Sequence, residues 1–467
     1  MYKDQITKWV DDHTDEMVRD IMTLCRINSE KMSAKPNMPF GKGPLLALNA
    51  ALAMAGNYGF KTKNYDNYAG TADLNDGGHT LDILAHLDVV PAQEGWSVTE
   101  AFKPVLKDGK IYGRGTSDDK GPAVAALYAM RAVRELGIPV SKNARLILGT
   151  DEENGSGCIR HYYEQETEAP MTFSPDSDFP LVNIEKGRLP GDFFMGFPLS
   201  ESEPRIVSVT GGVIENAVPP SASAVLSGLC ADNVKKAAAE TEKETGASLV
   251  FAEENGKLSV TSHGRNAHAS KPEQGNNALT ALLVFLTKLP IAECPAFDAL
   301  KALCILMPHG ETDGEHLGIK TEDKESGALT VAFSQLSVTG RKLEGLFDCR
   351  YPVCTDTGKM IATLREKFES AGMRFNGDRL VLPHRVPADS TFVKELLKVY
   401  ENYTGLPGKC ISVGGGTYVH DLKNGVAFGC VFPGTDTRMH APDEFAVISE
   451  LNASVKIFAQ VIADLCA

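Results

Sequence analysis

No stretch of the sequence approaches the ~20 consecutive apolar residues that a membrane-spanning helix needs. The N-terminal stretch, MYKDQITKWVDDHTDEMVRDIMTLC, carries charge throughout and so offers no apolar core for an export signal. Ile6, Trp9, Val10, Met17, Ile21 and Leu24 instead fit the spacing of an amphipathic helix. The ten cysteines are scattered, with no CxxC pair and no dense framework. They read as reduced, buried thiols, which points to a cytoplasmic chain. Positive charge is in short supply, with 47 Lys and Arg against 61 Asp and Glu and a formal net charge of -14. Such a surface repels nucleic acid and gains nothing from anionic lipid. There is no GxSxG elbow for a serine nucleophile, no internal repeat and no low-complexity linker.

What is present is an ordinary globular composition, 43% hydrophobic and 23% charged. A length of 467 residues suggests two or three domains. Leu81 to Val90 (LDILAHLDVV) reads as an apolar strand, DKGPAVAALYAMRAVRELG as a helix with Pro122 in its first turn, and ARLILG as a second strand running into the acidic turn TDEENGSG. Strand, helix, strand in that order predicts an α/β domain with a mostly parallel sheet, whose chemistry gathers at the carboxyl ends of its strands. From about Leu189 the texture changes. RIVSVTGG, SASAVLSG, SLVFAEENGKLSVTSHG and LEGLFDCRYPV alternate apolar and polar residues, between helical stretches such as NALTALLVFLTKLP and KMIATLREKFESAG. This is an α+β pattern on an antiparallel sheet. After Pro387 come a helix (STFVKELLKVYENYTG), a strand (VAFGCVFPG) and a final helix (EFAVISELNASVKIFAQVIADL). The expected organisation is a catalytic domain over 1–188 and 384–467, interrupted by an inserted lid domain over 189–383.

Five places hold candidate metal ligands: His86 in HLD, Asp118 in GRGTSDDKG, the Glu152-Glu153 pair, Asp176 in SPDSDFP and His440 in RMHAPDEF. Nitrogen and carboxylate donors of this kind suit zinc, manganese or cobalt. Two cations ~3.5–4 Å apart need a bridging carboxylate, and Asp118, at the start of a helix, is placed to supply it. A water between the two would be acidic enough to yield hydroxide near neutral pH. Taken singly, each residue has an ordinary alternative. His86 and Asp88 could be a hydrogen-bonded pair, Asp118 and Asp119 helix caps, Glu152 and Glu153 solvated surface, and Asp176 a turn residue. His440 alone says almost nothing.

LAHLDVVP, IYGRGTSDDKGP, GTDEENGSG and SPDSDFP, in this order and at these spacings, resemble the M20 metallopeptidases, most of all the dipeptidases of the PepV type. The likeness extends through GGVIENAVP, GRNAHASKPEQGNNA, FDCRYP, VGGGTY and MHAPDEF, nearly the whole chain. The resemblance implies a di-zinc centre in an α/β domain, with an inserted lid. It implies that His86 and Asp176 bind one metal, Glu153 and His440 the other, and Asp118 both. Asp88 would orient the His86 ring. Glu152 would be the general base that takes a proton from the water bridging the metals and passes it to the leaving amine. A cis peptide is implied between Asp118 and Asp119. In the lid, His268 resembles the histidine that polarises the scissile carbonyl. Asn216 and Arg350 resemble residues that bind the substrate or the forming oxyanion. Gly414, Gly415, Gly416 and Thr417 resemble a loop that receives the substrate's C-terminal carboxylate.

The expected activity is therefore two-metal hydrolysis of dipeptides that carry a free C-terminal carboxylate. The alternative with the same centre is removal of an acyl group from an N-acyl amino acid. A non-catalytic relative on this fold would have lost Glu152 or a ligand, and all are present. Beyond a small peptide no partner is expected, neither nucleic acid nor membrane, and the chain would be a monomer or homodimer. After VGGGTY stand Val419, His420 and Asp421, where the family commonly has a basic residue, which leaves the finer substrate preference open.

Overall fold

A computed structural model describes residues 2–467. The chain forms two compact units. One takes Met1–Ile184, Arg385–Ile411 and Gly416–Ala467; the other takes Glu185–His384 and Ser412–Gly415. No helix among the described residues is long and apolar enough to cross a membrane. All ten cysteines are free thiols.

The first unit is built on a sheet whose strands run Lys61–Tyr65, Ala69–Asp73, Lys142–Gly149, Gly78–His86, Met171–Ser174, Gly425–Ala427 and Leu181–Glu185. Gly78–His86 lies parallel to both its neighbours, and Gly425–Ala427 lies parallel to Met171–Ser174. The first two strands join antiparallel at one edge. A sheet covered on both faces needs nearly continuous apolar strands. Leu81, Ile83, Leu84 and Ala85 supply one such run, and Ala144, Leu146, Ile147 and Leu148 the next. The helix Lys120–Glu135 is buried from Lys120 to Val133, on all sides rather than along one stripe, because small alanines let neighbours approach closely. It packs against the helices Lys3–Cys25 and Ile448–Leu465. The six apolar positions anticipated in the N-terminal helix are all buried, together with Val18 and Cys25.

Two local expectations need correction. Phe445–Val447 is not the start of the final helix but a short strand paired with Lys110–Tyr112; the helix starts at Ile448. VAFGCVFPG is not one strand. It breaks into Gly425–Ala427 and Cys430–Val431 around a cis Gly429–Cys430 peptide, and the second piece pairs with Ser177–Asp178.

The second unit is built on an eight-stranded antiparallel sheet. Its order is Ser248–Glu254, Lys257–His263, Ser221–Ser227, Arg205–Gly211, Thr330–Thr339, Lys342–Tyr351, Gly187–Gly196 and Arg374–Asn376. The first hairpin turns on Asn255 and Gly256, both at positive φ, the geometry that matches strand twist in a two-residue loop. Gly191 stands opposite Phe347 and Gly345 opposite Phe193 in register. A Cβ at either glycine would strike the facing ring, so the two absences make room for the stacked cluster of Phe193, Phe347, Phe368 and Phe375. The helix Ala278–Thr287 is buried from Ala278 to Leu286, and the Asn277 side chain caps it by accepting from the Leu279 and Thr280 amides.

Candidate metal centre and polar sites

His86 closes the strand Gly78–His86, and its ring is fully buried. Its main-chain N–H donates to Asp119 Oδ2 at 2.9 Å. Its Nδ1 faces the Asp88 carbonyl at 3.1 Å. A proton on Nδ1 satisfies that contact and leaves the Nε2 lone pair free. Nε2 points at Asp118 Oδ1, 2.9 Å away, and at Asp176 Oδ2, 3.5 Å away. The other Asp118 oxygen, Oδ2, lies 2.8 Å from His440 Nε2, which is itself 3.4 Å from Glu153 Oε1. Two ligand clusters result, His86–Asp118–Asp176 and Asp118–Glu153–His440, with Asp118 common to both.

These donors fit divalent cations. His86 Nε2 and Glu153 Oε1 are buried and make no hydrogen bond, a costly arrangement unless another group meets them. Five carboxylates, Asp118, Asp119, Glu152, Glu153 and Asp176, surround two imidazoles. Burial pushes Glu152 well above the ordinary carboxylate range, with Asp176, Glu153 and Asp118 adding to the shift. Burial and Asp118 raise Glu153 to about 7. Partial burial pulls His440 down, but contacts with Asp118 and Glu153 outweigh it and raise the ring to about 11. Without a cation, then, protons neutralise the cluster.

The loop that holds Asp118 is set by residues that sequence reading passed over. Glu444 Oε1 accepts the amides of Ser117 and Asp118 at 3.0 and 3.2 Å, and its Oε2 pairs with buried Arg114 at 2.6 Å. The signal lay in APDEF, four residues beyond His440. Asp119 sits at the N-cap position of the following helix yet makes no side-chain cap; it holds the His86 backbone instead. The Asp118–Asp119 peptide is cis. Asp88 meets His86 Nδ1 with two groups, its carbonyl at 3.1 Å and its Oδ1 at 3.5 Å, and its carboxylate oxygens also accept the Glu152 and Glu153 amides at 3.0 and 3.1 Å. Asp88 thereby ties the end of one strand to the acidic turn after the next. His440 sits at φ 63°, a sparsely populated conformation for a residue with a side chain.

In the second unit Asn216 and His268 come together, with Asn216 Nδ2 3.5 Å from His268 Nε2. The Ser270 hydroxyl and amide both face His268 Nδ1, at 2.7 and 3.1 Å. Arg350 forks onto buried Asp348, with Nε to Oδ1 at 2.5 Å and Nη2 to Oδ2 at 2.9 Å, and its Nη1 donates to the Gly414 carbonyl. A Cβ on Gly414 would lie 2.5 Å from that of Ser270, which fixes glycine there. Gly415 belongs to this unit, whereas Gly416 and Thr417 belong to the first. Thr417 Oγ1 accepts from the Val419 amide at 3.4 Å.

The sequence pattern of peptidase family M20/M25/M40 matches residues 83–464. A curated relative, the putative dipeptidase YtjP of Bacillus subtilis, is 36% identical over 460 residues, 97% of each chain. The Beta-Ala-Xaa dipeptidase of Lactobacillus delbrueckii subsp. lactis is 34% identical and covers 97% of this chain and 96% of its own. Among solved structures, human carnosine dipeptidase 1 superposes with a TM-score of 0.60 at 15% identity, covering 100% of this chain and 99% of its own. Dug1p of Saccharomyces cerevisiae gives 0.59 at 14% identity and covers 98% of each. The chain belongs to peptidase family M20/M25/M40 and is a metal-dependent peptidase of that family.

Proposed function

We propose that the chain hydrolyses dipeptides with a free C-terminal carboxylate, using two divalent cations. The observation that carries this reading is Asp118, whose two oxygens face two different histidines, each with its own further carboxylate. His86, Asp176 and Asp118 would hold one cation and Glu153, His440 and Asp118 the other. Zinc suits this donor set, as do manganese and cobalt, and a bound cation there supplies Lewis acidity toward an amide and toward water.

The protein groups do the rest. Glu152, tethered through its amide to Asp88, takes a proton from the attacking water and delivers it to the leaving amine nitrogen. His268 offers its Nε2–H to the carbonyl oxygen as negative charge builds there, an interaction stronger in the transition state than in the substrate. Arg350 and Asn216, with donors from Gly415, Gly416 and Thr417, receive the terminal carboxylate. The curated relatives named as dipeptidases support the substrate class.

The test is hydrolysis of a dipeptide panel by protein reconstituted with zinc, manganese or cobalt. C-terminally amidated dipeptides should be poor substrates, since a lost charge-assisted contact is worth about 1.5–3 kcal/mol. Equal turnover of free and amidated dipeptides, or faster turnover of N-acetyl amino acids, would overturn the reading.

A further inference from the structure

Arg188 lies in the strand Gly187–Gly196, and its direct partner across the antiparallel ladder is Arg350. Paired residues project from the same face of a sheet, so two guanidinium groups rise side by side. The carboxylate they share is that of Asp348, whose side chain is 0% exposed. Arg350 occupies both of its oxygens. Arg188 Nε approaches Oδ2 only to 3.5 Å and, although buried, makes no hydrogen bond. Its other anionic neighbour is Glu215, 3.5 Å from Nη2. Glu215 is in turn held at both oxygens by Arg379, at 2.9 and 3.0 Å. Arg379 also binds Asp192.

Arg188 is therefore a cation whose two nearby carboxylates are each committed to another guanidinium. Its side chain is 35% exposed, enough for a ligand to reach it. Burial and the like charge of Arg350 both work against its protonated form. An anion placed at the exposed end of the Arg188 side chain, between the two arginines, would relieve that repulsion. The planar fork of arginine suits a carboxylate.

We propose that Arg188 is a specificity residue that binds a second carboxylate, the acidic side chain of the substrate's C-terminal residue, so that dipeptides ending in Asp or Glu are preferred. This rests on the dipeptidase reading, in which Arg350 receives the terminal carboxylate. In a C-terminal Asp or Glu the two carboxylates are only a few bonds apart, which matches two guanidinium groups on paired residues.

The experiment compares Ala-Glu with the near-isosteric Ala-Gln, using metal-reconstituted full-length protein. The kcat/KM ratio should be about tenfold in favour of Ala-Glu, carried mainly by KM, the low end of what a charge-assisted contact provides. Arg188→Gln should bring the ratio to near one. Arg188→Lys, which keeps the charge without the fork, should retain part of the preference. High salt should shrink the ratio in the wild type, because the contact is partly solvated. A wild-type ratio near one, with both peptides cleaved, overturns the proposal and leaves the dipeptidase reading intact. So does a ratio in Arg188→Gln that matches the wild type, or a loss in Arg188→Lys as complete as in Arg188→Gln. Cleavage of neither peptide overturns the proposal, and only failure across the whole dipeptide panel overturns the dipeptidase reading with it.

Discussion

The two units handle clustered charge in opposite ways. In the first, Asp118, Asp119, Glu152, Glu153 and Asp176 crowd around two histidines, and among the described residues no ion pair joins a lysine or arginine to the candidate ligand oxygens. In the second, Arg188, Arg350 and Arg379 interleave with Asp348, Glu215 and Asp192. The first arrangement is incomplete as a set of protein groups and calls for added positive charge. The second balances three guanidinium groups against three carboxylates, with Arg188 the most loosely paired of them, at 3.5 Å from each neighbour. A buried charge without a partner is costly, so an unbalanced cluster that persists in a fold is a place to look for a ligand, and its sign names the ligand's.

That contrast can be broken most forcefully at Asp118. Asp118→Ala removes the ligand common to both clusters, so metal content should fall well below two per chain and activity to background. Elemental analysis of chelator-free protein, set beside an activity assay, checks this; a variant with both metals and full turnover would end the two-cluster assignment.

Glu152→Gln sharpens the comparison inside the acidic cluster. It keeps size and hydrogen bonding but cannot take a proton, so kcat should fall ~10²–10⁴-fold while metal content holds. Loss of a metal would make Glu152 a ligand instead. The matching experiment in the other unit is His268→Ala. It should lower kcat ~10²–10³-fold with a smaller change in KM, and leave metals and thermal unfolding as they were. A defect confined to stability would show a structural histidine.

The smallest effect expected is in proton linkage. In the metal-free protein His440 holds its proton up to about pH 11 and Glu153 up to about 7. Ligands must be deprotonated to bind, so metal displaces protons and apparent affinity rises with pH. Between pH 6 and 8 the rise should be roughly tenfold per unit for each proton released. Competition with a chelator across that range measures it. An affinity flat with pH would mean that the cluster is already unprotonated.

Four residues that the structure gathers into the two candidate clusters, His86, Asp118, Glu153 and Asp176, were legible in the sequence as strand ends or turns, local signals that survive without a fold, whereas His440 gave no local signal of its own. The alternation of the second unit's strands was legible for the same reason. What escaped depends on partners distant in the chain. Phe445–Val447 looks helical by its neighbours and becomes a strand through Lys110–Tyr112. The two arginines face each other only once the register of Gly187–Gly196 against Lys342–Tyr351 is known. Asp88 was seen as a partner of His86, and its carboxylate also serves the Glu152–Glu153 turn, a contact that exists only when two neighbouring parallel strands end side by side.

The clasp between Arg114 and Glu444 joins residues 330 positions apart. It sets an order of events in the making of the protein. A chain still on the ribosome, with His86 and Asp118 long since emerged, has neither the His440 imidazole nor the carboxylate that cradles the Asp118 loop. If the two clusters carry the chemistry, it is withheld until Glu444 has emerged, and a chain halted before Thr437 should show neither two-metal stoichiometry nor turnover, however long it is given.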